Sequence, residues 1–337
     1  MKRMDFSFII PVFNRPEEIK ELLESFKNLE GDLDFEIVIV EDGSTITSEA
    51  IVDSFSKDLN ISYYYKKNSG PGDSRNYGMR RAKGNYFIIL DSDCLLPKNY
   101  LQIVSDNLKA DFVDCFGGPD AAHDSFSNLQ KAINFAMTSV ITTGGIRGRR
   151  QSLEKFQPRS FNMGLSKAAF LASGGFGVIH PGEDPDLSIR LNALGFQTRL
   201  IPEAYVYHKR RISWSKFFKQ VYKFGMVRPI LNSWHPKTSR LVYWFPSLFS
   251  LGLIMALLFF VLGNNWFLWA FGLYFITVFA MALIQTKNMI VSFQCLIAIL
   301  VQFFGYGYGF VRSTFAIKVL GKNPEKHFPN LFFKHVE

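Results

Sequence analysis

Cysteine is nearly absent. The 337 residues contain three, Cys94, Cys115 and Cys295, an odd and scattered set without metal-ligand spacing. That excludes a disulfide framework and a zinc module, and it suits a reducing compartment. Acidic residues are missing between Glu203 and Glu325, and from Leu241 to Val311 the only charged residue is Lys287. No glycine occurs in IIPVFNRPEE, residues 9–18, where a dinucleotide-binding fingerprint would need several, and no P-loop is present. There is no internal repeat. The opening Met1-Lys2-Arg3-Met4-Asp5 leads into an apolar run too short and interrupted for a signal peptide, so the first 240 residues are expected on the cytoplasmic side.

What replaces charge beyond Leu241 is bulk hydrophobicity. Tyr243 to Leu262, Trp266 to Gln285 and Met289 to Val311 each supply the ~20 apolar residues that cross a bilayer. Three such windows in a row predict membrane spans rather than buried core helices. The net charge of +9 is concentrated just before them, where Lys209, Arg210, Arg211, Lys216, Lys219, Lys223, Arg228, Lys237 and Arg240 crowd together. Such a cluster reads as contact with anionic lipid, and the adjacent membrane segments argue against the competing reading, nucleic acid. SWSKFFKQVYKFG sets Trp214, Phe217, Phe218, Val221 and Tyr222 against Lys216, Lys219 and Lys223, a pattern for a helix in the membrane interface or packed on the preceding domain. Three complete spans would carry the tail outside, yet Arg312, Lys318, Lys322, Lys326 and Lys334 give it a cytoplasmic character. Either the third segment is interfacial or re-entrant, leaving the tail inside, or the positive-inside rule is broken here, so two to three spanning helices are expected.

Residues 5–118 alternate strand-like and helix-like pieces. FSFIIPVF, FEIVIVEDGS, ISYYYK, YFIILDSD and DFVDCFGG read as strands, and the intervals from Arg15 to Leu29, Asp73 to Ala82 and Asn99 to Leu108 as helices. This rhythm predicts an α/β fold with an open, mainly parallel sheet covered on both faces. Ligands of such sheets bind beyond the carboxyl ends of the strands. Pro11 and Asn14 follow the first strand, Glu41 and Asp42 close the second, and Asp91 and Asp93 close the fourth. Carboxylates at the end of so apolar a run need a cation, a metal or water. Two hard oxygen donors in a chain without a phosphate-binding glycine loop point to manganese or magnesium on Asp91 and Asp93.

FSFIIPVFNR, VEDGS, NSGPGDSRNYGMRRAKG, LDSDC, FNMGLSKAAFLASGGF and GEDPDLSIRLNALGF occur in the order of the family 2 glycosyltransferases, which this chain resembles over about residues 6–210. The resemblance implies an inverting enzyme with a Rossmann-like GT-A nucleotide-sugar fold. It places Pro11, Asn14 and Asp42 at the nucleotide, and Arg75 and Asn76 near base and diphosphate. Asp91 falls beside ribose and metal, Asp93 is the main metal ligand, and Asp184 is the catalytic base. His208 falls where some members have a further metal or diphosphate contact. Asp73, Ser74 and Cys94 depart from the usual residues of these blocks without removing a group the chemistry needs. Pro185 also suits Asp184 as a helix N-cap, Glu183 is the alternative base, and Asp186 reads as a first-turn acid. Arg147, Arg149 and Arg150 fall in GGIRGRRQSLEKFQP, read either as a loop gripping an anionic acceptor such as a lipid-linked diphosphate or as a plain solvated loop.

The expected organisation is a cytoplasmic catalytic domain over 1–210, a basic amphipathic segment over 211–240, a transmembrane region over 241–312 and a basic tail over 313–337. The expected activity is metal-assisted transfer from a nucleotide-diphosphate sugar to a glycan or lipid-linked saccharide at an inner or plasma membrane. The alternatives are transfer to a polyprenyl phosphate, which needs no base such as Asp184, and a catalytically silent nucleotide-binding membrane protein.

Overall fold

The computed structural model describes residues 4–121, 126–143, 156–209 and 213–333, which divide into two compact units. The first holds residues 4–121, 156–209 and 332–333 of the described chain, and the second holds the rest.

In the first unit, β1 (Phe6–Val12), β2 (Phe35–Asp42), β3 (Ile61–Lys66) and β4 (Tyr86–Leu90) are parallel neighbours, with β1 central between β2 and β4. The helices between them are α1 (Pro16–Lys27), α2 (Glu49–Phe55) and α3 (Pro71–Arg81). β1 lacks strict polar alternation because both of its faces are covered. Phe6, Phe8, Ile10 and Val12 pack with Ile19, Leu22, Leu23 and Phe26 of α1, while Ile9 points to the opposite layer with Met79 of α3. Each such fully buried side chain stabilises by roughly 1.5–3 kcal/mol. Gly78 lets α3 lie against the sheet: a Cβ there would stand 2.8 Å from Ile9.

After β4, the short β5 (Cys94–Leu95) leads to α4 (Tyr100–Ala110), whose Tyr100, Leu101, Val104 and Leu108 join the layer of α1. β6 (Cys115–Gly117) does not pair with β4; β8 (Asn162–Ser166) enters between them, antiparallel to both. β9 (Thr198–Leu200) pairs parallel with β6 and gives the sheet order β3-β2-β1-β4-β8-β6-β9. The fold is thus the expected open, mostly parallel α/β sheet of GT-A type. A second sheet joins β5, β10 (Val206–His208) and β7 (Asp120–Ala121). Its register sets His208 opposite Cys94.

α7 (Lys167–Ser173) and α8 (Glu183–Ala193) complete the α3 layer through Ala169, Phe170, Leu187 and Leu191. Phe332 forms an antiparallel bridge with Ile179, and the Phe333 amide donates to the Val178 carbonyl at 2.9 Å. The Phe333 ring closes over Gly70, where any Cβ would collide with it.

The second unit contains α5 (Asn128–Thr138), α6 (Val140–Thr143), α9 (Trp214–Trp234), α10 (Phe245–Val261), α11 (Trp266–Thr286) and α12 (Met289–Thr314). Ser127 and Gln130 form a capping box on α5, and the Ser213 hydroxyl caps α9. Ile133, Phe135, Phe217, Val278, Ile299 and Phe303 are among the residues that build its core. Three segments are long and apolar enough to cross a membrane: Leu241–Val261, Trp266–Thr286 and Met289–Val319. They match the three windows of the sequence. Phe218, expected on the apolar face of α9 with Phe217, is instead 40% exposed.

Candidate active site

Parallel strands bring the carboxyl ends of β1, β2 and β4 to one edge. Pro11 lies near the end of β1, half-buried and in register with Val40. Asn14 follows in a left-handed conformation, φ 53°, which asparagine tolerates better than most residues. Its Oδ1 accepts from the Thr45 and Ile46 amides at 2.8 and 3.0 Å, tying the loop after β1 to the loop after β2. The Asp42 carboxylate closes β2 by accepting from the Ser69 and Gly70 amides, both at 2.9 Å, and from Lys66 Nζ at 2.7 Å. The residues entering α3 are thereby fixed to the sheet.

Arg75 is the hub of the site. Its guanidinium is 3% exposed and divides between Asp91 at 2.6 Å and Glu183 at 3.0 Å. Burial alone works against its charge, but the two carboxylates more than offset this and raise its pKa. Glu183 also meets His180 Nδ1 at 3.1 Å. Burial pushes the Glu183 carboxyl upward, yet His180 and Arg75 outweigh it and hold the group at about 2. Asn76 faces elsewhere: its amide donates to the Phe176 carbonyl and accepts from the Phe176 amide, both at 2.8 Å. Its role in this structure is to fasten α3 to the segment before α8.

Asp93 holds a second charged group together. One oxygen meets Arg15 Nη1 at 2.6 Å and the other lies 3.1 Å from His208 Nε2. The second nitrogen of His208 faces Asp120 at 3.8 Å, and Phe161 stacks on the ring. Asp91 thus pairs with Arg75, and Asp93 with Arg15 and His208. Cys94 also stands near Asp93 and His208, but burial pushes its thiol well above its ordinary range, and its Sγ lies against the Phe161 carbonyl at 3.4 Å. A protonated thiol is not a ligand for a hard cation. The oxygen and imidazole donors of Asp93 and His208 do fit manganese or magnesium.

Asp184 is not the N-cap of α8. That position belongs to Gly182, with φ 120°, and Asp184 is the second helical residue. The helix begins earlier than Pro185 suggests because Glu183 is already anchored by Arg75. Burial raises the pKa of Asp184, and repulsion from Glu183 adds to it, while Arg159 at 3.6 Å opposes the shift. Asp186 pairs with Arg190 at 2.9 Å instead of only facing the helix dipole.

Asp42, Arg75, Asp91, Glu183 and Asp93 thus gather around one sheet edge. Arg147, Arg149 and Arg150 lie outside the described residues. Sequence reasoning missed Arg15, Arg159, His180 and Asp120, all of which hold site carboxylates or His208. Arg15 directly follows Asn14 in FNR and His180 lies three residues before Glu183, so both were within reach; Arg159 and Asp120 depend on pairings between distant segments.

Residues 7–173 match the glycosyl transferase family 2 profile. A glycosyltransferase of Rickettsia bellii is 38% identical over 97 residues, 29% of this chain and 14% of that protein. The chain thus spans about a seventh of the length of that relative. Among solved structures, the mannosyltransferase PcManGT of Pyrobaculum calidifontis, in complex with GDP-Man and Mn2+, superposes with a TM-score of 0.59 at 15% identity, over 93% of this chain and 88% of that one. TarS 1–349 of Staphylococcus aureus, in complex with UDP-GlcNAc, gives a TM-score of 0.50 at 18% identity, over 95% and 93% of the two chains.

Proposed function

We propose that the chain, which matches the glycosyl transferase family 2 profile over residues 7–173, is a membrane-anchored inverting glycosyltransferase using a nucleotide-diphosphate sugar. The sugar moves from the donor to a hydroxyl of a glycan or lipid-linked saccharide, the nucleoside diphosphate departs, and the catalytic unit lies on the cytoplasmic side. The observation that carries this reading is the gathering of Asp91, Asp93 and Glu183 around Arg75, Arg15 and His208 at the carboxyl edge of the sheet.

The two similar structures hold GDP-Man and UDP-GlcNAc, which supports the donor class. Asp42 fixes the Ser69–Gly70 turn against which a nucleotide base would lie. Asp93 and His208 are the residues that would hold manganese or magnesium. When bound, such a cation neutralises charge on the departing diphosphate. Arg15 and Arg75 add fixed positive charge on the same edge, so the residues of the chain also favour a leaving anion.

Asp184 is suited to take the proton of the acceptor hydroxyl. Burial makes it a better proton acceptor than an ordinary aspartate, and general-base catalysis contributes typically ~100-fold to 10,000-fold. Arg159 and the first turn of α8 keep its carboxylate oriented. Attack assisted from the face opposite the leaving group inverts the anomeric centre in one displacement. A phosphate acceptor needs no such base, and the raised Asp184 therefore favours a hydroxyl acceptor over a polyprenyl phosphate.

The test is turnover of a panel of nucleotide sugars by the full chain in lipid, with manganese or magnesium, beside Asp93→Asn and Asp184→Asn. One donor turning over, and both variants losing at least about 100-fold, is the expected result. Equal behaviour of wild type and variants would leave a nucleotide-binding protein without transferase chemistry.

A further inference from the structure

The described residues include three helices apolar enough to span a membrane, but an odd number of crossings conflicts with where the chain goes next. Residues 332–333 belong to the first unit, through the Phe332–Ile179 bridge and the Phe333 hydrogen bond to Val178. Between Val319 and Phe332 run LGKNPEKHFPNL, whose Lys322, Glu325 and Lys326 make a further crossing untenable. Charged side chains at the centre of a span are costly to insert. The end of α12 is therefore on the same side as the first unit, and the number of crossings from α10 onward is even.

Which helix does not cross follows from its neighbours. α9 packs along the C-terminal half of α12 at backbone contact: a Cβ on Gly225 would strike the Tyr306 carbonyl, and one on Gly309 the Tyr222 carbonyl. Lys216, Lys219 and Lys223 of α9 are all exposed, and Arg312 of α12 reaches the Tyr222 hydroxyl. So cationic a helix pair does not lie across hydrocarbon. The exposed apolar residues of α12 tell the same story. Ile290, Phe293, Ile297, Tyr308 and Val311 are each 46% to 62% exposed, and at helical pitch they fall within about 60° of one another, with Met289 at the first position of the helix exposed just outside that arc. The opposite side is packed, with Cys295, Ile299, Phe303 and Phe310 buried. One narrow apolar stripe beside a basic helix is the pattern of an element lying in the interface. α10 and α11 differ: they carry no charge, 17% and 11% of their apolar windows are buried against 39% for α12, and four residues join them, Leu262 to Asn265.

We propose that α10 and α11 cross the bilayer as a single hairpin, while α12 and α9 lie along the membrane surface on the side of the catalytic unit. The α12 stripe faces the acyl chains and the α9 lysines face anionic head groups. This deepens the membrane-anchored reading of the preceding section and is independent of the transfer chemistry.

The test places single cysteines in the full chain, whose native Cys94, Cys115 and Cys295 are buried. Lys20→Cys marks the catalytic unit, Asn264→Cys the α10–α11 loop, and Lys322→Cys the segment after α12. An impermeant maleimide applied from each side of the membrane should label Lys20→Cys and Lys322→Cys from one side and Asn264→Cys from the other. Nitroxides at Phe293→Cys and Tyr308→Cys, in vesicles of phosphatidylethanolamine and phosphatidylglycerol, should report similar shallow depths. A spanning α12 would separate them by about 22 Å along the normal. Lys322→Cys labelling with Asn264→Cys, or a large depth difference, overturns the arrangement while leaving an anchored enzyme. Labelling of all three from one side, with the protein washed off by carbonate, overturns the hairpin and the anchoring together.

Discussion

Replacing Arg75 with methionine removes the cation between Asp91 and Glu183 and keeps most of the side-chain volume. Glu183 is 4% exposed on its side chain and Asp91 32%, so the former is left as a buried carboxylate with only His180 beside it. Breaking a buried ion pair in this way costs about 3–5 kcal/mol. At ~2–4 °C per kcal/mol for a domain of this size, the midpoint of unfolding at neutral pH should fall by roughly 6–20 °C. The pH dependence gives the reasoning its sign. Glu183 is held at about 2, below its ordinary 4.5, so its contribution is present above the unfolded value and lost as pH falls toward 2. The gap in thermal midpoint between wild type and Arg75→Met, followed by scanning fluorimetry in detergent, should therefore shrink as pH drops from neutral through 4.5. Adding Glu183→Gln to Arg75→Met should recover at least half of the loss, because the stranded charge is gone. A loss below 1 kcal/mol at pH 7, or a gap that does not narrow in acid, would refute the account of Arg75 as the cation that makes Glu183 tolerable.

Asp184→Asn should keep nucleotide-sugar affinity and lose turnover by ~100-fold or more. In the wild type, the rate should rise with pH through an acidic limb set above the ordinary aspartate range, because the base must be ionised; stopped assays between pH 4 and 8 measure it. Arg15→Met should weaken manganese binding by about 10–100-fold in calorimetry, since it frees one oxygen of Asp93 from its fixed orientation. Phe333→Ala should destabilise the first unit by roughly 1–2 kcal/mol and raise hydrogen exchange at Val178 and Ile179 more than in β1.

The sheet was legible wherever apolar runs ended in polar residues. β1, β2, β3 and β4 fell where FSFIIPVF, FEIVIVEDGS, ISYYYK and YFIILDSD placed them. β8 was not, because NMGLS carries no strong strand signal. The same divide runs through the site. Asp42, Asp91 and Asp93 could be found as acids at strand ends. The partners Arg159 and Asp120 could not, because the salt bridges that select them join segments 25 and 88 residues apart, to Asp184 and to His208, whereas His180 lies only three residues before its partner Glu183 and could have been paired with it. The start of α8 was misplaced by two residues for a related reason. A proline suggested the first helical position, but Gly182, free to take a positive φ, sets it.

The bridge from Phe332 to Ile179 orders the birth of the molecule. A ribosome delivers the sheet, α3 and α8 first, then the hairpin, and only afterwards the two phenylalanines that pin the segment leading to Glu183. Until the apolar helices have emerged, the nascent transferase unit lacks that pin. A chain stalled or clipped before residue 332 would carry every carboxylate of the site and still hold them on a loosened frame.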